Sequence, residues 1–342
     1  MDDFARLPRE ERRVYFEQTA ARLGLSAQMI EKDFWVCWTL RRLFSLPKFY
    51  DQLTFKGGTT LSKVYRIIER FSEDLDISIE KGFLGFGGEN EPEQAPSKKQ
   101  RNRRIEELRN ACRTAVAEQL QPQLHRATTL ALDSEAGWSL SLDPADTDGQ
   151  SLLFHYPPAI TGSLSPYFAA AVKIELGGRS DHFPIEKQIV VPYISDAFPD
   201  ALTDPNVQVR VLAAARTFWE KTTILHRLFH QRENMPIPPR MSRHYYDVFK
   251  LSQSEVWSEV FASLPLLDRV VEQTIIYSPR PWAQYDEVLT GKLRLNPPER
   301  ITDLLKKDYR EMQPMFFREP PPFDDILTHL AKLENRINEN KR

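Results

Sequence analysis

Between Leu53 and Glu80 the spacing of apolar residues changes twice. Leu53-Thr54-Phe55 is a short apolar run that meets Gly57 and Gly58, followed by Thr59 and Thr60. From Leu61 to Phe71 the apolar residues fall at Leu61, Val64, Tyr65, Ile67, Ile68 and Phe71, which is the spacing of one buried helix face. The period then drops to two: Leu75, Ile77 and Ile79 take one side and Asp74, Asp76 and Ser78 the other, the alternation of a strand. The stretch predicts a strand, a glycine turn, a helix and a second strand that projects two carboxylates from one face.

The flanking chain supplies further elements. Pro8 opens a helical pattern from Glu10 to Leu23 that stops at Gly24. Ser26 caps a second helix carrying Phe34, Trp35 and Trp38, which ends before Pro47. Those aromatics belong to a core, which argues against a DNA-recognition helix; the pair is a brace for the sheet. Lys81 to Gln100 lacks periodicity and predicts a long mobile loop, after which a helix runs to about Leu120. Thr128 to Leu132, Trp138 to Leu142 and Leu152 to Tyr156 predict antiparallel strands. Gly162 lies in a loop, Tyr167 to Leu176 predicts a strong strand with Lys173 and Glu175 on one side, and Ile185 to Ile194 its partner. From Val207 onward the chain predicts helices, the first of about six turns from Val209 to Phe229. A last amphipathic helix begins at Phe323.

Composition narrows the class. The 342 residues allow one large or two ordinary domains, and 41% hydrophobic with 27% charged residues is that of a soluble globular chain. A formal net charge of −2 provides no global field for nucleic acid. Cys37 and Cys112 have no metal or redox spacing. No signal region or membrane-length apolar run is present, so the expectation is a cytoplasmic protein without a membrane partner.

Candidate chemistry starts from the paired aspartates. Like charges on one strand face repel, and a divalent cation removes the repulsion; Mg²⁺ takes one or two carboxylates together with substrate phosphates. A glycine turn at a helix start lets backbone N–H groups approach a phosphate. Either half alone also describes an ordinary turn or a solvated strand face. Joined by one helix, they describe a metal–triphosphate site. Lys98, Lys99, Arg101, Arg103 and Arg104 are open between an RNA-phosphate contact and a solvated helix start. Trp282 and Tyr285 are open between base stacking and core, and His226 with His230 more simply belongs to a helix than to a metal site.

Gly57-Gly58-Thr59 followed by Asp74-Leu75-Asp76 resembles the first motif of polymerase-beta-like nucleotidyltransferases. FKGGTTLSK with RFSEDLDIS is similar, more narrowly, to the AbiEii family of nucleotidyltransferase toxins of type IV toxin–antitoxin systems. The resemblance extends over roughly residues 20 to 315, through Glu31-Lys32-Asp33, Lys173 to Arg179, Glu220-Lys221 and Arg243 to Val248. It implies an α+β fold: a polymerase-beta-like mixed sheet with flanking helices and a C-terminal helical lobe. The domains are then 1–200 for the N-terminal helices and sheet and 201–342 for the lobe completing the nucleotide site.

By the same resemblance Asp74 and Asp76 bind Mg²⁺, and Glu175 is a candidate third carboxylate that completes metal binding or activates a hydroxyl. Gly57, Gly58, Thr59, Ser72, Lys63 and Lys173 contact phosphates, Lys221 contacts the triphosphate, and Asp247 orients Lys221 or contacts the nucleotide. His244 stands where many members carry an acid. The implied activity transfers a nucleoside monophosphate from a nucleoside triphosphate to RNA, at the 3′ end of tRNA, blocking translation in a phage-defence setting with a separately encoded antitoxin. Transfer to a protein or small-molecule hydroxyl, and a nucleotide-binding toxin module without turnover, are the alternatives.

Overall fold

Alternating side chains build a mixed sheet in the computed structural model, which describes residues 1–133, 137–161 and 169–341. Its strands are β1 (Leu53–Lys56), β2 (Leu75–Ile79), β3 (Ser139–Leu142), β4 (Ser151–His155), β5 (Ala171–Gly177), β6 (Ile185–Val190) and β7 (Val207–Leu212). Their spatial order is β3-β4-β5-β2-β1-β7-β6. β2 sits between β1, to which it is antiparallel, and β5, to which it is parallel. The carboxylate strand is therefore interior to the sheet, where its apolar side, Leu75, Ile77 and Ile79, is fully covered.

Several elements differ from the expectations. The helix after the glycine turn spans only Gly58–Lys63, because β-branched Ile67 and Ile68 are poor helix formers and Arg66 takes a positive φ of 51°. Val207 to Leu212 is a strand beside β1, not the start of a helix. Val207, Val209 and Val211 alternate with Gln208 and Arg210, and β-branched residues suit a pleated surface; the helix begins at Ala214 and runs to Phe229. Thr128 to Leu132 is not a strand: the helix Gln121–Ala131 buries Leu124, Thr128 and Ala131 at helical spacing, a case where a short apolar run is ambiguous. The segment 81–100 holds two short 3-10 turns and a Lys81–Glu93 ion pair. Gly162 and Tyr167 lie outside the described residues.

The chain divides into two compact units. One comprises Met1–Val64 and Phe71–Val211 and carries the sheet; the other comprises Tyr65–Arg70 and Leu212–Arg342 and is helical. In the sheet unit the helix Ala27–Leu43 is capped by Ser26, whose hydroxyl accepts from Met29 N at 3.2 Å. It buries Phe34, Trp35 and Trp38 completely or nearly so. Trp35 stacks on Tyr156 at 5.3 Å and Trp38 on Phe154 at 5.6 Å, so the brace binds the sheet through aromatic faces.

Three consecutive charged residues on this helix are buried, and each finds its own partner. Glu31 accepts from the backbone N–H groups of Ala159 at 2.5 Å and Ile160 at 3.1 Å. Lys32 pairs with Glu73 and donates to the Ala169 carbonyl at 3.2 Å. Asp33 pairs with Lys63 at 2.6 Å and accepts from Tyr193 N at 2.7 Å. Lys32 thereby anchors the residue immediately before Asp74. Replacing it by methionine removes the buried cation paired with Glu73, so Lys32→Met should cost about 3–5 kcal/mol in urea unfolding, whereas Lys32→Met with Glu73→Leu should recover most of it. Equal losses in the single and double variants would contradict this.

Candidate active site

β2 begins at Leu75, so Asp74 lies one residue outside the strand and Asp76 within it. Cross-strand register decides the neighbours of Asp76: Lys56 on β1 and Glu175 on β5. All three belong to the polar side of the sheet, which continues through Thr54 and Ser78. Burial pushes the Asp76 carboxyl up to about 6; Lys56 works against the rise, and Glu175 and Asp74 add to it. Glu175 is brought beside Asp76 by a parallel strand about a hundred residues away in sequence.

Gly57 is what lets Asp76 sit there. A Cβ on Gly57 would stand 1.9 Å from Asp76 Oδ2, and its φ is +84°, a conformation that favours glycine. The turn cradles a protein carboxylate. Thr60 closes it by donating to the Gly57 carbonyl at 2.8 Å. Thr59 is fully buried; its hydroxyl donates to the Asp74 carbonyl at 2.6 Å and lies 3.0 Å from the Ser72 hydroxyl. Having spent its single proton on Asp74, Thr59 accepts from Ser72. The Thr59 side chain thus fixes the backbone from which Asp74 projects.

Lys63, expected at a phosphate, has a side chain 4% exposed, paired with Asp33 and set 3.4 Å over the Tyr193 ring, so its charge is engaged within the brace. Lys173 lies 2.8 Å from Glu175 and 3.4 Å from Asp143; Glu175 is both the neighbour of Asp76 and one end of a surface ion pair. Of the basic run, Arg104 donates to the carbonyls of Glu89 and Glu91, both at 2.8 Å, and Arg103 pairs with Glu107 at 3.1 Å.

Sequence reasoning missed Lys56 and His182. Lys56 directly precedes the glycine turn, and the antiparallel hairpin register alone pointed to it. His182 follows β5; its ring lies 3.0 Å from Thr54 Oγ1, 2.6 Å from Ser78 Oγ and 2.7 Å from Glu80, which also pairs with Arg210 at 3.0 Å. This ring covers the polar side of β2 beyond Asp76.

The helical unit carries the other predicted residues. Lys221, on the helix Ala214–Phe229, pairs with Asp247 of the helix Ser242–Ser252 at 2.8 Å. Arg70 grips the same carboxylate with two donors, Nε at 2.8 Å and Nη2 at 2.7 Å. Burial would raise the Asp247 carboxyl, but Arg70 and then Lys221 outweigh it and hold it well below the ordinary range. Asp247 is completely buried, and its two carboxylate oxygens are taken up by Arg70 and Lys221. His244 is pushed well below its usual value by burial, then by Lys221 and Arg243, and is neutral in place of an acid. His226 accepts from Arg294 N at 3.1 Å and donates to the Gln284 carbonyl at 3.1 Å; burial pushes it down to about 4. Both ring nitrogens are used by backbone. Tyr285 is buried and not a stacking platform.

The donor chemistry suits a hard divalent cation. A carboxyl raised first by burial and then by its carboxylate neighbours is the arrangement a cation relieves. Among the described residues no three His, Cys, Asp or Glu side chains form a ready-made metal cage, so substrate oxygens would have to complete the coordination.

A family model described as the nucleotidyl transferase AbiEii toxin, type IV TA system, matches residues 38–329. No curated protein matches the chain. Among solved structures, the chain is similar to MenT4, a nucleotidyltransferase toxin from Mycobacterium tuberculosis H37Rv, with 15% identity, 95% of this chain and 98% of that chain covered, and a TM-score of 0.42.

Two outcomes test this geometry. Gly57→Ala should displace Asp76 and lower the thermal midpoint, and the displaced carboxylate should no longer titrate near 6 by NMR; an unchanged titration would show that the turn accommodates a Cβ. For Asp76→Asn the sign follows from the raised carboxyl. Above about 6 the folded state carries an unfavourable charge, and that penalty disappears as pH falls toward the ordinary Asp value of 3.8. Metal-free Asp76→Asn should therefore exceed the parent in stability by about 1–3 kcal/mol at pH 8 and by nearly nothing at pH 4. A gain independent of pH would argue against the coupling.

Proposed function

This chain belongs to the AbiEii family of nucleotidyltransferase toxins of type IV toxin–antitoxin systems, and on that premise we propose that it transfers a nucleoside monophosphate to RNA, at the 3′ end of tRNA. The observation that carries the reading is the register of Asp76 with Glu175 beside the Gly57 turn. It supplies closely spaced carboxylates on an open polar strand face.

In this reading Asp74 and Asp76 hold Mg²⁺, with Glu175 beside them. The cation, when bound, offsets negative charge on the triphosphate and on the carboxylates. The acceptor hydroxyl oxygen bonds to the α-phosphorus, the bond from that phosphorus to the bridging oxygen breaks, and pyrophosphate leaves. Glu175, its side chain 42% exposed, takes the hydroxyl proton. Lys56 tempers the charge on Asp76. Lys221, oriented by Asp247, is the compact ammonium suited to phosphate charge. The type IV setting implies an antitoxin partner, and loss of usable tRNA accounts for toxicity.

Purified protein with Mg²⁺, each α-labelled nucleoside triphosphate in turn and total RNA should label a tRNA-sized band, and Asp74→Ala/Asp76→Ala should reduce the label to background. Label in a protein or small molecule would move the acceptor to those classes. Nucleotide binding and full toxicity in the double variant would support a module without turnover. Lys221→Met should lower kcat/KM about 10²-fold or more, the usual cost of a lost charge-stabilising group, with folding retained by circular dichroism.

A further inference from the structure

The helical unit holds a buried charge arrangement in which one carboxylate serves two cations. Arg70 is 2% exposed, Asp247 is 0% exposed and Lys221 is 7% exposed at the side chain. Arg70 engages both oxygens of Asp247, and Lys221 shares Oδ2. A planar guanidinium fork fixes carboxylate orientation in a way a lysine cannot. Within this trio the charges sum to one surplus positive.

The backbone that delivers Arg70 is held at several points. Arg70 forms an isolated antiparallel bridge with Phe316, and Phe317 N donates to the Glu69 carbonyl at 3.0 Å. Glu69 N donates to the Tyr246 hydroxyl at 3.2 Å, and the Glu69 carboxylate pairs with Lys250 at 3.0 Å. Tyr246 and Lys250 lie on the helix that carries Asp247. The guanidinium and the carboxylate it grips are thus tied to one helix through backbone as well as side chain.

We propose that Arg70 is a positioning residue for nucleotidyl transfer, its fork locking Asp247 in the orientation that presents Lys221 to a phosphate of the nucleoside triphosphate. This rests on the function proposed above. Arg70 touches no substrate and acts through Asp247. The groups facing Lys221 are Asp247, Arg70, Arg243 and His244. Burial lowers the Lys221 ammonium, Asp247 raises it, and Arg70 and Arg243 lower it. Removing the guanidinium should therefore let Lys221 keep its proton to higher pH.

The test measures KM and kcat for the nucleoside triphosphate, with pH profiles, in the full chain and in Arg70→Lys, Arg70→Gln, Asp247→Asn and Arg70→Lys/Asp247→Asn. Arg70→Lys keeps the charge and loses the fork, and should raise KM about tenfold or more, as small misplacements of charged groups do. The double variant should be no worse than Asp247→Asn alone, and Arg70→Gln should move the alkaline limb of the profile upward. Tyr246→Phe removes the hydroxyl that anchors Glu69 while retaining every charge; it should raise KM at least twofold in a folded protein even if the arginine variants fail to fold. Unchanged KM in folded Arg70→Lys or Tyr246→Phe, additive effects in the double variant, or a lowered thermal midpoint with an unmoved pH profile would overturn the proposal. Absence of transfer by the parent protein would instead defeat the proposed function.

Discussion

Asp76 is a carboxylate placed where a carboxylate is least comfortable: covered, beside Glu175, and against the backbone of Gly57. Its surroundings are explicable as devices that keep it there. Gly57 leaves the space a Cβ would fill, Thr59 pins the Asp74 carbonyl, Lys32 anchors Glu73, and Lys56 supplies a compensating charge from the neighbouring strand. Removing an unfavourable charge is cheap for stability and costly for any reaction needing a metal. A carboxyl raised in this way marks Asp76 as a candidate functional group.

The helical unit uses buried charge in the opposite sense. Asp247 is over-satisfied, with Arg70 on both oxygens and Lys221 on one. Such a carboxylate cannot swing, and neither can the lysine it holds. Preorganised charge costs little reorganisation when a substrate arrives. The neutral imidazole of His244 adds no competing negative charge, which makes its presence in place of an acid chemically consistent with a cation-rich site.

These two arrangements are contiguous in the chain although they belong to different units. Arg70 is the last residue of the short segment in the helical unit, and Phe71 returns the chain to the sheet unit. Within seven positions the sequence carries Arg70, Glu73, Asp74 and Asp76. Two buried ion pairs, Arg70–Asp247 and Lys32–Glu73, hold this stretch on either side of Phe71 and Ser72.

The glycine turn, the alternating aspartates and the aromatic brace were legible in the sequence because each depends on local geometry: positive φ, period two, or a helical stripe. β7 was missed because its valines run into the helix that follows, so a periodic pattern continued across a real boundary. Lys63, near a glycine turn, looks available in sequence until Asp33, thirty residues earlier, is seen to pair with it. Lys56, Glu175 as the neighbour of Asp76, and Arg70 as the partner of Asp247 depend on strand register and on segments distant in sequence. By itself the sequence determined the elements and the family's chemical vocabulary, since propensity and short motifs act over a few residues. Only the tertiary structure decided which charges meet and which are buried, because Coulomb interaction and desolvation depend on distance and exposure in three dimensions.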